Sequence, residues 1–267
     1  MSPTPKWQDL RVRVISAVVM GLMGAIEVWL GGYWLLMLVA LICGAMIWEL
    51  ALMLAPQRPW GHYALLAVLA GLCLIVAQVV LLPISPIAAW AIIPLPALVG
   101  GGLVLRRHRV VFVLYGGAIV LACFSFQTLR ELRGLEWMIW LLLVVIATDV
   151  MGYFAGRALG GPKFWPRVSP NKTWAGIIGG WAAAAAVGML VSTTTGGTNL
   201  AWVTLLSVFV AFAAQMGDMA ESALKRRCGV KDSSRLIRGH GGVLDRFDGL
   251  VAASLAVFVI GSTVGLG

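Results

Sequence analysis

The stretch Tyr63-Ala-Leu-Leu-Ala-Val-Leu-Ala-Gly-Leu-Cys-Leu-Ile-Val-Ala-Gln-Val-Val-Leu-Leu82 carries no charged residue and a single amide. An α-helix rises about 1.5 Å per residue, so about 20 residues cross the ~30 Å hydrocarbon core of a bilayer. This run has that length and composition. Outward from it the pattern recurs, with apolar segments at about 14–30, 33–54, 87–105, 110–129, 137–156, 174–192, 200–220 and 249–267. Each reads as a helix, because a strand edge exposed to lipid would leave backbone groups unpaired. The fold class expected is an all-α polytopic integral membrane protein of about nine transmembrane helices. Pro94 and Pro96 predict a kink in the fourth. The small residues of Trp181-Ala-Ala-Ala-Ala-Ala-Val-Gly188 predict close packing of the seventh.

Composition agrees. Of the 267 residues, 60% are hydrophobic and only 12% charged, against about 25% charged in a soluble domain. A soluble enzyme, a disordered chain and a coiled coil are excluded. The net charge of +9 reads as cytoplasmic loops under the positive-inside rule rather than as nucleic-acid binding. Cys43, Cys73 and Cys123 lie in apolar runs and Cys228 in a basic loop. No pair has metal-ligand spacing, so free thiols are expected. The first apolar run is long enough to remain as a span rather than be cleaved as a signal.

With the N-terminus inside and nine alternating spans, every Lys and Arg except Arg130 and Arg133 falls on the inner face. This bias sets the expected orientation. Residues 1–105 then hold spans one to four. Residues 106–267 hold spans five to nine and two dense inner loops, about 157–173 and 221–248, the whole acting as one functional unit. The location implied is the inner cell membrane, with the chemistry facing the cytoplasm.

The last loop combines carboxylates for a hard metal, cations for phosphate and glycines that let backbone N–H groups approach an anion. If the eighth helix continues past the membrane, Asp218, Glu221, Ser222 and Lys225 share one face. Asp245 and Asp248 share a face at the start of the ninth. Asp218, Asp245 and Asp248 could converge on one Mg²⁺, although capping accounts equally for the last two. Gly239-His240-Gly241-Gly242 reads as a turn suited to phosphate. In the earlier loop, Ser169, Lys172 and Thr173 precede the seventh helix, where N–H groups favour an anion. Lys172 there is otherwise unfavourable. Asp149 lies two turns inside the sixth span, with an internal ion pair to Arg157 or a loop cation as its plain reading. Glu27 and Glu49 have no role beyond interhelical hydrogen bonding.

The run Ser222-x-Leu224-Lys225-Arg226-x4-Lys231-Asp232-x-Ser234-x2-Ile237-x2-His240-Gly241-Gly242-Val243-x-Asp245-Arg246-Phe247-Asp248 resembles the signature of the phosphatidate cytidylyltransferase (CDP-diacylglycerol synthase) family. Asp149…Gly156-Arg157 and Ser169-Pro170-x-Lys172-Thr173-Trp174-x-Gly176 are similar to its second motif. Arg238 stands where the family has Pro or a small residue, and Asn171 replaces a common Lys. The resemblance implies CMP transfer from CTP to phosphatidic acid. It implies Mg²⁺ on Asp218, Asp245 and Asp248, a potassium ion nearby and a homodimer. It implies substrate contacts from Asp149, Ser169, Lys172, Thr173, Ser222, Lys225, Arg226, Lys231, Asp232, Gly239, His240, Gly241, Gly242 and Arg246. Lys172 and Lys225, with the three aspartates, are the expected catalytic groups. Alternatives are another CTP-using membrane lipid enzyme, of the CDP-archaeol synthase or polyprenol kinase type, and an anion transporter.

Overall fold

The structure is a computed structural model that describes residues 21–104, 108–195, 199–234, 236–237 and 241–264. Gly239 and His240 of the expected phosphate turn lie outside the described residues, as do Arg235 and Arg238. The helices are α1 (Gly21–Leu30), α2 (Gly32–Leu54), α3 (Trp60–Ile84), α4 (Pro86–Gly102), α5 (Arg109–Leu159), α6 (Trp174–Thr195), α7 (Leu200–Cys228) and α8 (Leu244–Val264). Among the described residues, five of them (α2, α3, α5, α6 and α7) are long and apolar enough to cross a membrane. Lipid offers the backbone no partners, so helix is the state that satisfies such segments. The protein is an all-α membrane protein, with one small hairpin among the described residues. Its strands are β1 (Lys163–Trp165) and β2 (Ser169–Thr173), antiparallel, with Lys163 opposite Thr173 and Trp165 opposite Ser169.

Two helices are interrupted where the sequence requires it. α4 breaks at Ile93–Pro94, since Pro94 and Pro96 lack amide hydrogens. The 51 residues of α5 are divided by Gly134, whose φ of 85° and ψ of −174° only glycine adopts readily. The expected fifth and sixth segments lie on either side of it.

The chain divides into two compact units. The first comprises Met1–Glu131 and Val230–Arg246. In it α2 and α3 approach closely: a Cβ on Gly44 would sit 2.8 Å from the Ala67 carbonyl oxygen. Buried Gln78 donates to the Phe124 carbonyl at 3.0 Å and to Thr128 Oγ1 at 2.9 Å, and Trp90 meets Phe124 edge to face at 5.0 Å. Cys43, Cys73 and Cys123 are buried free thiols, and Cys228 in the other unit is free too, as expected.

The second unit comprises Leu132–Gly229 and Phe247–Gly267. Its helices pack through glycine. Gly152 and Gly156, one turn apart on α5, face Gly176 of α6, where a Cβ would lie 2.6 Å from the Gly152 carbonyl oxygen. A Cβ on Gly188 would lie 2.9 Å from Thr204 Cα, so α6 and α7 touch along the alanine-rich face. Polar side chains lock the apolar interior. Trp140 Nε1 donates to Ser207 Oγ at 2.8 Å, Trp181 Nε1 to Gln215 Oε1 at 2.9 Å, and Gln215 Nε2 to the Ile177 carbonyl at 3.3 Å.

Candidate active site

α7 continues well beyond its apolar stretch, ending at Cys228, where Gly229 adopts φ 71° and its N–H caps Lys225 and Arg226. This extension carries Asp218, Glu221, Ser222 and Lys225 on one face. Gly217 lets the backbone of the first turns of α8 come close: a Cβ there would meet the Asp248 carbonyl oxygen at 2.5 Å and Ala252 Cβ at 2.6 Å. The approach brings Asp218, Glu221 and Asp248 together. Each offers a carboxylate oxygen within 4.8 Å of the others, a spacing that could hold a metal ion. Glu221 is fully buried.

Three carboxylates this close repel unless positive charge is added. The chain supplies part of it. Lys172 Nζ forms an ion pair with Asp218 Oδ2, and Lys225 Nζ lies 2.8 Å from Glu221 Oε2. Ser222 Oγ is 3.4 Å from Asp218 Oδ1. Asp149 on α5 lies within electrostatic reach of Lys172 and Asp218. Of the two partners read for it from the sequence, Arg157 or a loop cation, the loop cation Lys172 is the one within reach; Arg157 donates to Tyr153 OH at 2.7 Å.

Lys172 is positioned by the hairpin. It is the penultimate residue of β2, immediately before α6. Thr173 Oγ1 accepts from Gly176 N–H at 3.2 Å, which caps α6. The strand pairing places Ser169 opposite Trp165, three residues ahead of Lys172. Arg226 is solvent-exposed on α7.

The remaining candidates lie in the first unit. Asp245, grouped from the sequence with Asp218 and Asp248, accepts three hydrogen bonds on Oδ2. They come from Ser233 N–H at 2.9 Å, Ser233 Oγ at 2.9 Å and Gly242 N–H at 2.8 Å. Gly241 has φ 85°, and its carbonyl accepts from Ile237 N–H at 2.9 Å. Lys231, Asp232 and Arg246 are exposed.

Two residues acquire roles that the sequence reading did not give them. Glu221 completes the carboxylate cluster; its signal was the three-residue spacing from Asp218. Glu49, at the end of α2, is fully buried, accepts hydrogen bonds from Ser234 Oγ, Val243 N–H and Leu244 N–H, and has Ser233 Oγ 3.1 Å from its Oε2. An acid inside an apolar helix was its only signal.

A profile of the cytidylyltransferase family matches residues 11–264. The chain belongs to the cytidylyltransferase family. It is 39% identical over 264 residues to the phosphatidate cytidylyltransferase of Brucella abortus, covering 95% of this chain and 94% of that one. Over 126 residues it is 44% identical to the phosphatidate cytidylyltransferase of Haemophilus influenzae, 45% of this chain and 44% of that one. Over 143 residues it is 38% identical to that of Bacillus subtilis, 51% and 52% of the two chains. The cytidylyltransferase relationship therefore spans nearly the whole protein, the N-terminal half as well as the carboxylate-bearing C-terminal half.

Proposed function

We propose that the chain transfers CMP from CTP to phosphatidic acid in the bilayer, giving CDP-diacylglycerol and pyrophosphate for phospholipid synthesis. It is a membrane nucleotidyltransferase. Membership of the cytidylyltransferase family supports this, as do full-length relatives named phosphatidate cytidylyltransferase. The observation that carries the chemistry is the convergence of Asp218, Glu221 and Asp248 beside Lys172.

The donor set fits Mg²⁺, which prefers hard oxygen ligands and is commonly shared between carboxylates and substrate phosphates. Asp218, Glu221 and Asp248 would hold it, and it would supply positive charge against the phosphates and the departing pyrophosphate. The phosphate oxygen of the lipid is already an anionic nucleophile, so no strong general base is required. It forms a new bond to the α-phosphorus of CTP as the bond to the pyrophosphate oxygen breaks. Lys172 can exchange its carboxylate partner for a phosphate oxygen, stabilising charge that grows in the transition state. Ser222 steadies Asp218, and Lys225 steadies Glu221.

The same reading includes nine spans with a cytoplasmic N-terminus, an inner-membrane location with this chemistry facing the cytoplasm, a potassium ion near the Mg²⁺, and a homodimer. Its test is CDP-lipid formation by the purified protein from CTP and phosphatidate, with and without Mg²⁺. The expected result is Mg²⁺-dependent CDP-diacylglycerol with equimolar pyrophosphate. Product from an isoprenoid-ether lipid or a polyprenol, and none from phosphatidate, would replace this reading with one of the neighbouring lipid enzymes.

A further inference from the structure

Arg157 lies in the last turn of α5, where the uncharged run Val150-Met-Gly-Tyr-Phe-Ala-Gly156 ends. Its guanidinium donates to Tyr153 OH at 2.7 Å, and Phe154 meets Tyr153 edge to face at 5.5 Å. Tyr153, Phe154, Arg157 and Ala158 line an open cleft of about 490 Å³, the size of a small-molecule site. Among the described residues no carboxylate pairs with Arg157. The mechanism above makes no use of this cation.

Arginine and aromatic residues at the end of a membrane helix commonly serve as interface anchors, and a cation suits a helix C-terminus. An anchoring arginine extends its head group outward to water. Arg157 instead folds back one turn to Tyr153, against the uncharged run. Arg157, Tyr153 and Phe154 are all exposed there. A guanidinium carries five N–H donors, and Tyr153 engages one nitrogen. The phenol oxygen, having accepted, keeps its own hydrogen to donate. The pair thus offers a planar fork of N–H groups and one O–H, a set that matches the oxygens of a phosphate.

The cleft adjoins the carboxylate cluster within the second unit. A Cβ on Gly156 would stand 3.0 Å from Thr173 Oγ1; Arg157 follows the first of these residues and Lys172 precedes the second. Asp149, Tyr153 and Arg157 recur every four residues and share one stripe of α5, and Asp149 lies within electrostatic reach of Lys172 and Asp218. α5 is long and apolar enough to cross a membrane, so an anion reaching an exposed cleft beside its apolar run is one that the bilayer carries. We propose that Arg157 and Tyr153 dock the phosphate of phosphatidic acid in this cleft, gripping the lipid beside the cluster before CMP is transferred to it. This rests on the reaction proposed above and assigns its lipid-binding groups.

The test uses the full-length purified protein in phosphatidylcholine–detergent micelles of graded phosphatidate content. The readouts are KM for phosphatidate as a mole fraction, KM for CTP, and the mole fraction of phosphatidate giving half-maximal thermal stabilisation without CTP. Arg157→Gln should raise both phosphatidate values about tenfold, the effect of roughly one lost hydrogen bond to a charged group. KM for CTP should stay within about twofold. Arg157→Lys keeps the charge but loses the fork, and should fall between wild type and Gln. Tyr153→Phe removes one hydroxyl from an exposed ring and should raise both phosphatidate values about threefold. If Arg157→Gln does not fold, Arg157→Lys and Tyr153→Phe decide the matter in the same way. Unchanged phosphatidate values with only the melting temperature altered, the behaviour of an interface anchor, would overturn the proposal. Equal rises for both substrates, or a rise for CTP alone, would overturn it too. Wild-type protein that is stabilised by phosphatidate yet makes no CDP-diacylglycerol would sink the proposed reaction, and the docking site would then stand or fall by whether Arg157→Gln weakens that stabilisation.

Discussion

The ion pair between Lys172 and Asp218 couples two side chains whose separate removal has different consequences. Changing Asp218, Glu221 or Asp248 to its amide keeps size and polarity but removes one ligand charge. Turnover should drop by orders of magnitude, with the melting temperature little changed, and raising Mg²⁺ should partly restore the weakest ligand. Wild-type Mg²⁺ dependence in all three variants would disprove the metal assignment. Lys172→Ala removes a cation instead. Its kcat should fall about a hundredfold, the scale of one lost charge-stabilising donor, with the Mg²⁺ requirement unaltered. Near-normal kinetics at low CTP would reduce Lys172 to a surface charge. At this scale the sequence was partly legible. Asp218 stood out because an acid ending an apolar run is costly, and its spacing to Ser222 and Lys225 placed them on one face. Glu221 shared that face, but nothing local shows that α8 comes near enough for Asp248 to reach it. Glu49 was harder still. Its partners lie 184 to 195 positions away, and pairing over such distances leaves no periodic trace.

The helices were the easiest elements to read, because the bilayer removes every alternative to internal backbone pairing. The kink at Pro94 and the close packing of α6 follow from residue type alone. The hairpin was not visible. Its strands are three and five residues long, β2 contains Pro170 and no alternation marks a buried face. Tertiary contact forms it, with Phe164 against Trp174 edge to face at 4.8 Å. The approach of α7 to α8 gives a prediction at this level. Gly217→Ala puts a methyl group 2.5 Å from a backbone oxygen that cannot move aside without shifting α8. Overpacking of this kind costs about 1–3 kcal/mol. The melting temperature should fall by several degrees, and activity per folded molecule should fall as well, because Asp218 and Asp248 separate. Gly249→Ala is the control: its methyl would rest at an ordinary 3.4 Å from the Ala214 carbonyl, so stability and activity should both hold. Equal behaviour of the two variants would show that the Gly217 contact does not set the spacing of the cluster.

For the whole chain, the strongest sequence statement is the charge bias that predicts the orientation, and its exceptions can be weighed against local structure. Arg130 and Arg133 are the basic residues assigned to the outer face. Arg130 is held by the end of α1: its Nε donates to the Val28 carbonyl at 3.2 Å and its Nη2 to the Trp29 carbonyl at 3.5 Å. A helix C-terminus offers unpaired carbonyls and a negative dipole end. Arg130 therefore has a local structural reason to be where it is, and one exception to the positive-inside rule has a cause other than a wrong span count. The orientation can be tested with two single cysteines in a background where Cys228 is serine, since Cys43, Cys73 and Cys123 are buried. Leu132 is 74% exposed beside Gly134, in the expected outer connection, and Lys231 is exposed in the expected inner loop. In intact cells a membrane-impermeant maleimide should label Leu132→Cys and spare Lys231→Cys. In inverted vesicles the pattern should reverse. Labelling of both from one side would mean that an odd number of spans does not separate them, and the cytoplasmic placement of the carboxylate cluster would fall with the nine-span topology.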